Sequence, residues 1–373
     1  MLNLLVVLDE RFSAQASARE RVQLETAGYA VAVRSGADDR TLAWIDDIFG
    51  GTWSGEAFDS TNIVVTHHGA PVAFASVHPR NPRFAWLRGE GAKPGTGIFG
   101  PFGVDPAHRS TGIGASVLTM ALCELKAHGF ARALIGAAGE RLVPFYERVA
   151  AAVPVERFEP LSHLKEKRPR TVIMASGGGT NAQAVIDAVR GGLPLNLVAV
   201  VSNKSDAGVL RRATKAGVRS ETHAWDRTNE SRDAYDARLL SGVHIHQPDL
   251  VLLLGWMHVL DARFLGALPE LLNIHPAFLP HDASRDEVGM PDGTEIPAFR
   301  GGHAIRDALA ASSPWIGASF HAVTMETDRG AILTRKPLRT EAEEGAQRIL
   351  ERLHPLEHTV VLSGVKRWLY ERP

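Results

Sequence analysis

Cysteine is nearly missing from this chain of 373 residues: Cys123 alone carries a thiol. One thiol can build neither a disulfide framework nor a cysteine zinc cluster within the chain, which points to a reducing, cytoplasmic compartment. Net charge is missing as well. The 41 basic and 42 acidic side chains leave a formal charge of -1, so no global field would concentrate the chain on nucleic acid or an anionic membrane. Small molecules are the partners to expect. The N-terminal apolar run in MLNLLVVLDERF is too short to span a bilayer, has no basic flank before it and no small-residue cleavage site after it, and reads as a first β-strand. Internal repeats and low-complexity tracts are absent too.

What is there is ordinary for a globular α/β protein: 45% hydrophobic residues, 22% charged residues and 35 glycines suit many tight strand-to-helix turns. At roughly 150 residues per domain the length suggests two domains. The segment LSHLKEKRPR, Leu161 to Arg170, breaks the apolar periodicity with basic residues and a proline, and a new apolar run, TVIMA, follows it. The expected division is therefore residues 1–163, a linker at 164–170, and residues 171–373. Short strands (Thr61 to His67, Val72 to Val77) beside helical stretches (Thr41 to Phe49, Gly112 to His128) make the first domain a mixed-sheet α/β or α+β unit. In the second, strand and helix alternate regularly from Thr171 to Leu254, which implies a mostly parallel sheet with ligands at the C-terminal strand ends.

Two loops of the second domain stand where such chemistry belongs. Ser176-Gly177-Gly178-Gly179-Thr180-Asn181 follows a strand and opens a helix; small residues there let backbone N–H groups approach an anion, although the same run also makes a ligand-free turn. Asn273-Ile274-His275-Pro276 ends an apolar run, and residues two apart on a strand share a face. A carboxamide and an imidazole side by side suit a carbonyl that gains negative charge under attack by an amine. They also suit a hydrogen-bonded strand end.

The order of six motifs is more specific: ASGGGTN at Ala175 to Asn181, VVSNKSDA at Val200 to Ala207, SRDAYD at Ser231 to Asp236, LLGWMHVL at Leu253 to Leu260, LLNIHPAFLP at Leu271 to Pro280 and FHAVTMETDRGAIL at Phe320 to Leu333. In that order they resemble the glycinamide ribonucleotide formyltransferase family over nearly a whole family domain. The resemblance implies a Rossmann-like fold, 10-formyltetrahydrofolate as formyl donor, and a catalytic trio at Asn273, His275 and Asp328. Asn273 and His275 would polarise the formyl carbonyl, and Asp328 would steer the proton of the attacking amine and favour a cationic imidazole. It further places folate at Trp256, Met257, His258, Val259 and Leu260 and near Thr324, and the phosphate and ribose of a small-molecule amine at Gly178, Gly179, Thr180, Asn181 and Glu357. Two departures concern the acceptor. His258 stands where the family commonly has arginine, and HDASRDEVGMPDGTEIPA, residues 281–298, is an insertion that either reshapes specificity or is an inert surface excursion.

In the first domain, Val104-Asp105-Pro106-Ala107-His108-Arg109-Ser110-Thr111-Gly112-Ile113-Gly114 leads into a helical pattern and can present N–H groups to an anion. With Pro144-Phe145-Tyr146-Glu147-Arg148 it resembles the GNAT superfamily of N-acetyltransferases. The resemblance implies acetyl-CoA on Val104, Arg109, Ser110, Thr111, Gly112, Ile113 and Gly114, and Tyr146 as the acid that protonates the departing thiolate; a Tyr146 merely packed on its helix is the alternative. Trp53 reads as a packed side chain. His67, His68, Glu90 and Asp105 are the groups from which a base could come, and none is singled out. His244 and His246 read as a solvated helix face, and no metal is expected.

The expected activity is formyl transfer to glycinamide ribonucleotide, joined to an acetyltransferase-like domain, with a homodimer an open option. The alternatives are N-formylation of an amino sugar or other specialised amine, a first domain that senses acyl-CoA without turnover, and hydrolysis of the formyl donor.

Overall fold

The structure is a computed structural model that describes residues 1–78, 84–164, 166–341 and 344–372; Lys165 of the expected linker lies outside the described residues. The chain separates into two compact units, Met1–Pro160 with Gly289–Thr294 and Trp368–Pro373, and Leu161–Val288 with Glu295–Arg367.

The first unit is built on seven strands: β1 (Leu2–Val7), β2 (Tyr29–Ser35), β3 (Thr61–His67), β4 (Ala70–His78), β5 (Thr96–Val104), β6 (Arg132–Ala138) and β7 (Val153–Arg157). Their order in the sheet is β2-β3-β4-β5-β6-β1-β7, so the N-terminal strand is inserted between β6 and β7. All neighbours are antiparallel except β5 and β6. That parallel pair is in register only from Thr96↔Arg132 to Phe99↔Ile135, while β5 continues to Val104 and β6 to Ala138. The two strands therefore part, and among the described residues no ladder joins them beyond Phe99 and Ile135.

Helices α1 (Ala14–Thr26), α2 (Asp39–Ile48), α3 (Trp53–Phe58), α4 (Ile113–Ala127) and α5 (Val143–Ala150) complete this unit. In α4 the apolar residues Ile113, Val117, Ala121 and Leu125 recur at a spacing of four and are all buried, the stripe that a helix needs to dock on a sheet. Trp53 packs as its sequence context suggested, 5.2 Å from the Phe49 ring and 6.2 Å from Phe74.

The second unit holds β8 (Arg170–Met174), β9 (Asn196–Ser202), β10 (Ser220–Thr222), β11 (Leu250–Leu253), β12 (Leu271–His275), β15 (Trp315–Ala322) and β16 (Ile332–Arg339), with a small hairpin, β13 (Glu287–Gly289) and β14 (Glu295–Pro297), inside the insertion. The tip of that hairpin, residues 289–294, counts with the first unit. Sheet order is β10-β9-β8-β11-β12-β15-β16, parallel from β10 to β12 and antiparallel beyond. The chain winds outward from β8 to β10, then returns to continue from β11 on the other side. Strand direction of travel thus reverses between β8 and β11, and the loops that leave their C-terminal ends diverge to form a crevice. The helices are α6 (Thr180–Arg190), α7 (Gly208–Lys215), α8 (Arg232–His244), α9 (Ala262–Ala267), α10 (Ala304–Ala310) and α11 (Ala346–Glu371), whose last turn from Trp368 counts with the first unit. The central strands TVIM and LVLL are buried on both faces, which is why they read as continuous apolar runs.

One expectation changes here. His246 does not share a solvated helix face with His244: α8 ends at His244, and His246 is buried with Nε2 3.2 Å from Glu221. Arg170 holds the segment down by donating to the His246 carbonyl at 2.7 Å. Among the described residues no group of three or more His, Cys, Asp or Glu could hold a metal ion, and no helix is long and apolar enough to cross a membrane.

Candidate active site

The glycine loop leaves β8 and is tied at its start by Ser176, whose N–H donates to the Gly255 carbonyl and whose Oγ accepts from the Met257 N–H at 3.1 Å. Helix α6 then begins without a side-chain cap, at Gly179 in the left-handed region with φ +76. Its first-turn N–H groups face the crevice, an arrangement suited to an anion. A Cβ on Gly179 would lie 2.6 Å from Val209, so the close passage of α7 as well as the positive φ demands glycine. We expect Gly179→Ala to lower Tm by several degrees and to weaken binding of inorganic phosphate at least about tenfold, read by a melting curve and a calorimetric titration.

Asn181 and Glu357 meet inside the same crevice, with Asn181 Nδ2 donating to Glu357 Oε2 at 2.9 Å. Burial raises the Glu357 pKa, and the Asn181 hydrogen bond opposes the rise. The asparagine therefore positions the carboxylate of α11.

At the end of β12, Asn273 and His275 do share a site, and β15 brings a third group to them. Asn273 lies directly opposite His321 in the antiparallel pair. His321 Nδ1 is 2.8 Å from the Ala322 carbonyl, so Nδ1 carries the hydrogen and Nε2 accepts from Asn273 Nδ2 at 3.2 Å. Asp328 closes the group, with Oδ2 3.4 Å from His275 Nδ1 and Oδ1 3.5 Å from His321 Nε2. His275 and His321 are both buried. His321 was not singled out from the sequence although it lies in a quoted motif. Only the register of β12 against β15 reveals it.

Asp328 adopts φ +53, unusual for a residue with a Cβ, and the Gly301 N–H donates to its Oδ2 at 2.7 Å. Despite burial, these contacts and the two imidazoles hold its pKa down at about 2. The expectation that Asp328 makes the His275 imidazole cationic is met only in part. Burial is the largest effect on His275 and lowers its pKa, with Asp328 acting the other way. His275 Nε2 is 2.7 Å from the Phe299 carbonyl and donates to it, which leaves Nδ1 as the nitrogen beside the carboxylate.

A cavity of about 400 Å³ joins these parts. It is lined by Gly178, Gly179, Thr180 and Asn181, by Asn273, His275, His321 and Asp328, by residues 256–260 with Thr324, and by Glu357. Trp256 is buried, while Met257 and Val259 are exposed apolar side chains. His258 sits in an aromatic surround, 5.7 Å from the Tyr235 ring, 5.9 Å from Trp256 and 6.2 Å from Trp225. Burial, followed by Arg232 and Arg227, lowers its pKa. A neutral ring thus occupies this position, and Arg232 reaches the neighbouring Val259 carbonyl instead.

The insertion bears on this site through Asp286. Its Oδ1 pairs with Arg300 at 2.8 Å and with Arg329 at 2.5 Å. Arg300 in turn donates to the Asp328 backbone carbonyl at 3.2 Å, and Arg329 donates to the Ala283 carbonyl. The two arginines flank the Asp328 turn, so the insertion braces the loop that carries the carboxylate. Because Asp286 is largely exposed, the brace is screened by solvent. We expect Asp286→Ala to lower kcat for formyl transfer about three- to tenfold with little change in Tm, and high salt to reproduce part of the loss in the unaltered protein.

In the first unit, a cavity of about 340 Å³ opens where β5 and β6 part and is lined by Phe99, Phe102, Ile135, Tyr146 and Trp53. Tyr146 is buried, its pKa is pushed up to about 12 by burial, and no hydrogen bond of its hydroxyl is found among the described residues. None of His67, His68, Glu90 or Asp105 lines this cavity; Glu56 and Asp59, which the sequence reading passed over, do. The loop from Val104 to Gly114 leads into α4, with Ser110 at φ +65 and Gly112 at φ +92. Arg109 folds back to donate to the Val104 carbonyl at 3.2 Å, and Thr111 donates to His108 at 2.8 Å. The side chain of Ile113 belongs to the hydrophobic core, so that residue has only its backbone to offer a ligand.

Residues 25–151 match the model of the acetyltransferase (GNAT) family. A phosphoribosylglycinamide formyltransferase of Escherichia coli (strain K12) is 34% identical over 194 residues, covering 51% of this chain and 82% of that one. The trifunctional purine biosynthetic protein adenosine-3 of Drosophila melanogaster is 32% identical over 199 residues, 52% of this chain but 13% of the length of that protein. Among solved structures, glycinamide ribonucleotide transformylase 1 from Symbiobacterium toebii is 30% identical with a TM-score of 0.48, covering 54% of this chain and 88% of that one. Residues 169–283 and 294–365, together half of the chain, match the Formyl transferase model, and the chain belongs to the formyl transferase family.

Proposed function

We propose that the second unit transfers a formyl group from 10-formyltetrahydrofolate to the amine of glycinamide ribonucleotide. The observation that carries this reading is that one cavity is lined by the glycine loop, the Asn273–His275–Asp328 trio and the 256–260 segment together. The donor supplies a formyl carbon bonded to nitrogen, open to attack by an amine. Apolar Met257 and Val259, buried Trp256 and the backbone of 256–260 fit a flat heteroaromatic ring, and Thr324 lines the same cavity. Gly178, Gly179, Thr180 and Asn181 fit a phosphate and ribose, with Glu357 receiving a hydroxyl.

Asn273 then offers its carboxamide to the formyl oxygen as negative charge grows there. His275 Nδ1 takes up the proton that the amine releases, and Asp328 stabilises the resulting imidazolium. As the tetrahedral adduct collapses, the donor's formyl C–N bond breaks and the imidazolium returns that proton to the departing tetrahydrofolate nitrogen. His321 fixes the carboxamide of Asn273. A second reading, an amino sugar or other specialised amine as acceptor, draws on the neutral His258 and on the insertion that braces the Asp328 turn. Measuring tetrahydrofolate release with and without glycinamide ribonucleotide separates them. Release that needs this acceptor supports the first reading, release without any acceptor indicates a hydrolase, and none with this acceptor but release with an amino sugar supports the second.

The first unit, in the same proposal, binds acetyl-CoA. The strand edges that part beyond Phe99 and Ile135 suit the amides of the pantetheine arm, residues 109–114 suit its pyrophosphate, and Tyr146, kept protonated by burial, suits protonation of the thiolate.

A further inference from the structure

We propose that an imidazole-lined phosphomonoester site flanks the anion loop of the first unit and takes the 3′-phosphate of coenzyme A. This rests on the reading of that unit as an acetyl-CoA binder and adds to it the residues and the charge state of the nucleotide end.

Four rings converge beside the loop from three separate segments: Tyr29 on β2, His67 and His68 at the turn between β3 and β4, and His108 within the loop. Ring centroids lie 4.1 Å apart for His67 and His68, 5.3 Å for His67 and His108, and 5.0 Å for Tyr29 and His67. Tyr29 Oη is 3.2 Å from His108 Nδ1. The loop is held against the turn, since the Asp105 N–H donates to the Val72 carbonyl at 2.8 Å and Thr111 fastens the His108 carbonyl.

Both signs of charge stand near the cluster, but the nearest carboxylates are engaged elsewhere. Partial burial, His68 and His108 together lower the His67 pKa, and no carboxylate acts on it. Asp105 turns its Oδ1 to the Ala107 N–H at 2.9 Å, Arg109 is exposed next to His108, and on α1, packed against β2, Arg21 and Glu25 lie 4.0 Å apart and Arg21 donates to Val31. Protonation of His67 is therefore disfavoured while the cluster is empty. A phosphate dianion set among the rings reverses that for His67, because the ring then gains an opposite charge. A metal ion is not the occupant the geometry favours, since no such group among the described residues is placed to hold one. The start of α4, where the pyrophosphate would sit, is continuous with His108, so a second phosphate on the same ligand falls beside the rings, and the faces of Tyr29 and His67 are available to a purine.

The test is calorimetric titration of the full chain with coenzyme A and with 3′-dephospho-coenzyme A, in two buffers of different ionisation enthalpy. Coenzyme A is expected to bind about tenfold more tightly than the dephospho form near pH 6, with the ratio shrinking near pH 8.5 and proton uptake seen for coenzyme A alone. The double variant His67→Gln/His108→Gln should bring the ratio to about one, and its melting curve reports whether it folds. Equal affinities at both pH values, or equal proton uptake for both ligands, overturn the proposal while leaving the acetyl-CoA reading intact. Absence of binding by either ligand removes that reading instead. The site is then judged by inorganic phosphate, which must raise the pKa of the His67 and His108 C2–H resonances in an NMR titration; unmoved resonances sink it.

Discussion

His275→Ala should lower kcat for formyl transfer by about three orders of magnitude, with KM for both substrates changed less than threefold. The ring is buried, and its Nδ1 is the nitrogen that faces Asp328 at 3.4 Å, so its removal deletes the group placed to receive the amine proton, a contribution of about 10²–10⁴ in rate. The variant also loses the donor to the Phe299 carbonyl, but a water can enter the vacated polar space, and the fold should survive. His275→Gln sharpens the test: it can keep a donor to Phe299 but cannot carry a proton. If His275→Gln turns over at near the normal rate, the proton-carrying role is wrong.

Asp328→Asn should cost about 10²–10³ in kcat and change the pH dependence in a way that a purely structural residue would not. A carboxylate held at about 2 is charged through the whole working range. Removing it withdraws the effect that opposes burial at His275, so the His275 pKa falls further and the acid limb of kcat moves to lower pH. The sign for stability is also fixed. A depressed carboxylate stabilises the fold above its ordinary pKa, and that contribution disappears as pH falls through its folded value. The difference in Tm between the two proteins should thus be present at neutral pH and close between about pH 4 and 2. An unchanged acid limb, or a Tm difference that persists below that window, would remove Asp328 from the role given to it. Gly330 bears on the same loop: a Cβ there would lie 1.7 Å from the Ala322 carbonyl, so the turn that presents Asp328 tolerates no side chain behind it.

Much of the second unit could be read in one dimension because its chemistry is local. Gly177 to Thr180 lie in one turn, residues 256–260 in one loop, and Asn273 and His275 on one face of one strand, so spacing alone groups each set. The parallel alternation follows from apolar runs buried on both faces, and the mixed sheet of the first unit from its shorter strands. The position of α4 was visible in a spacing of four.

Tertiary structure decided the rest, and the reason is register and long-range approach. His321 reaches Asn273 only because β15 runs antiparallel to β12 in one register out of several, and a shift by one residue would turn it to the other face. Asp286 braces the Asp328 turn through two arginines from different loops. Glu56 and Asp59 line a cavity created by two strands that stop pairing after four residues. His67 and His108, 41 positions apart, share a surface because β4 folds back beside β5. Amino-acid order determined which chemistries the chain carries and where each local motif begins. Which side chains from distant segments stand within 3.5 Å of one another, and so how charged and how accessible each becomes, was set by strand pairing and burial, which act between residues that the sequence keeps far apart.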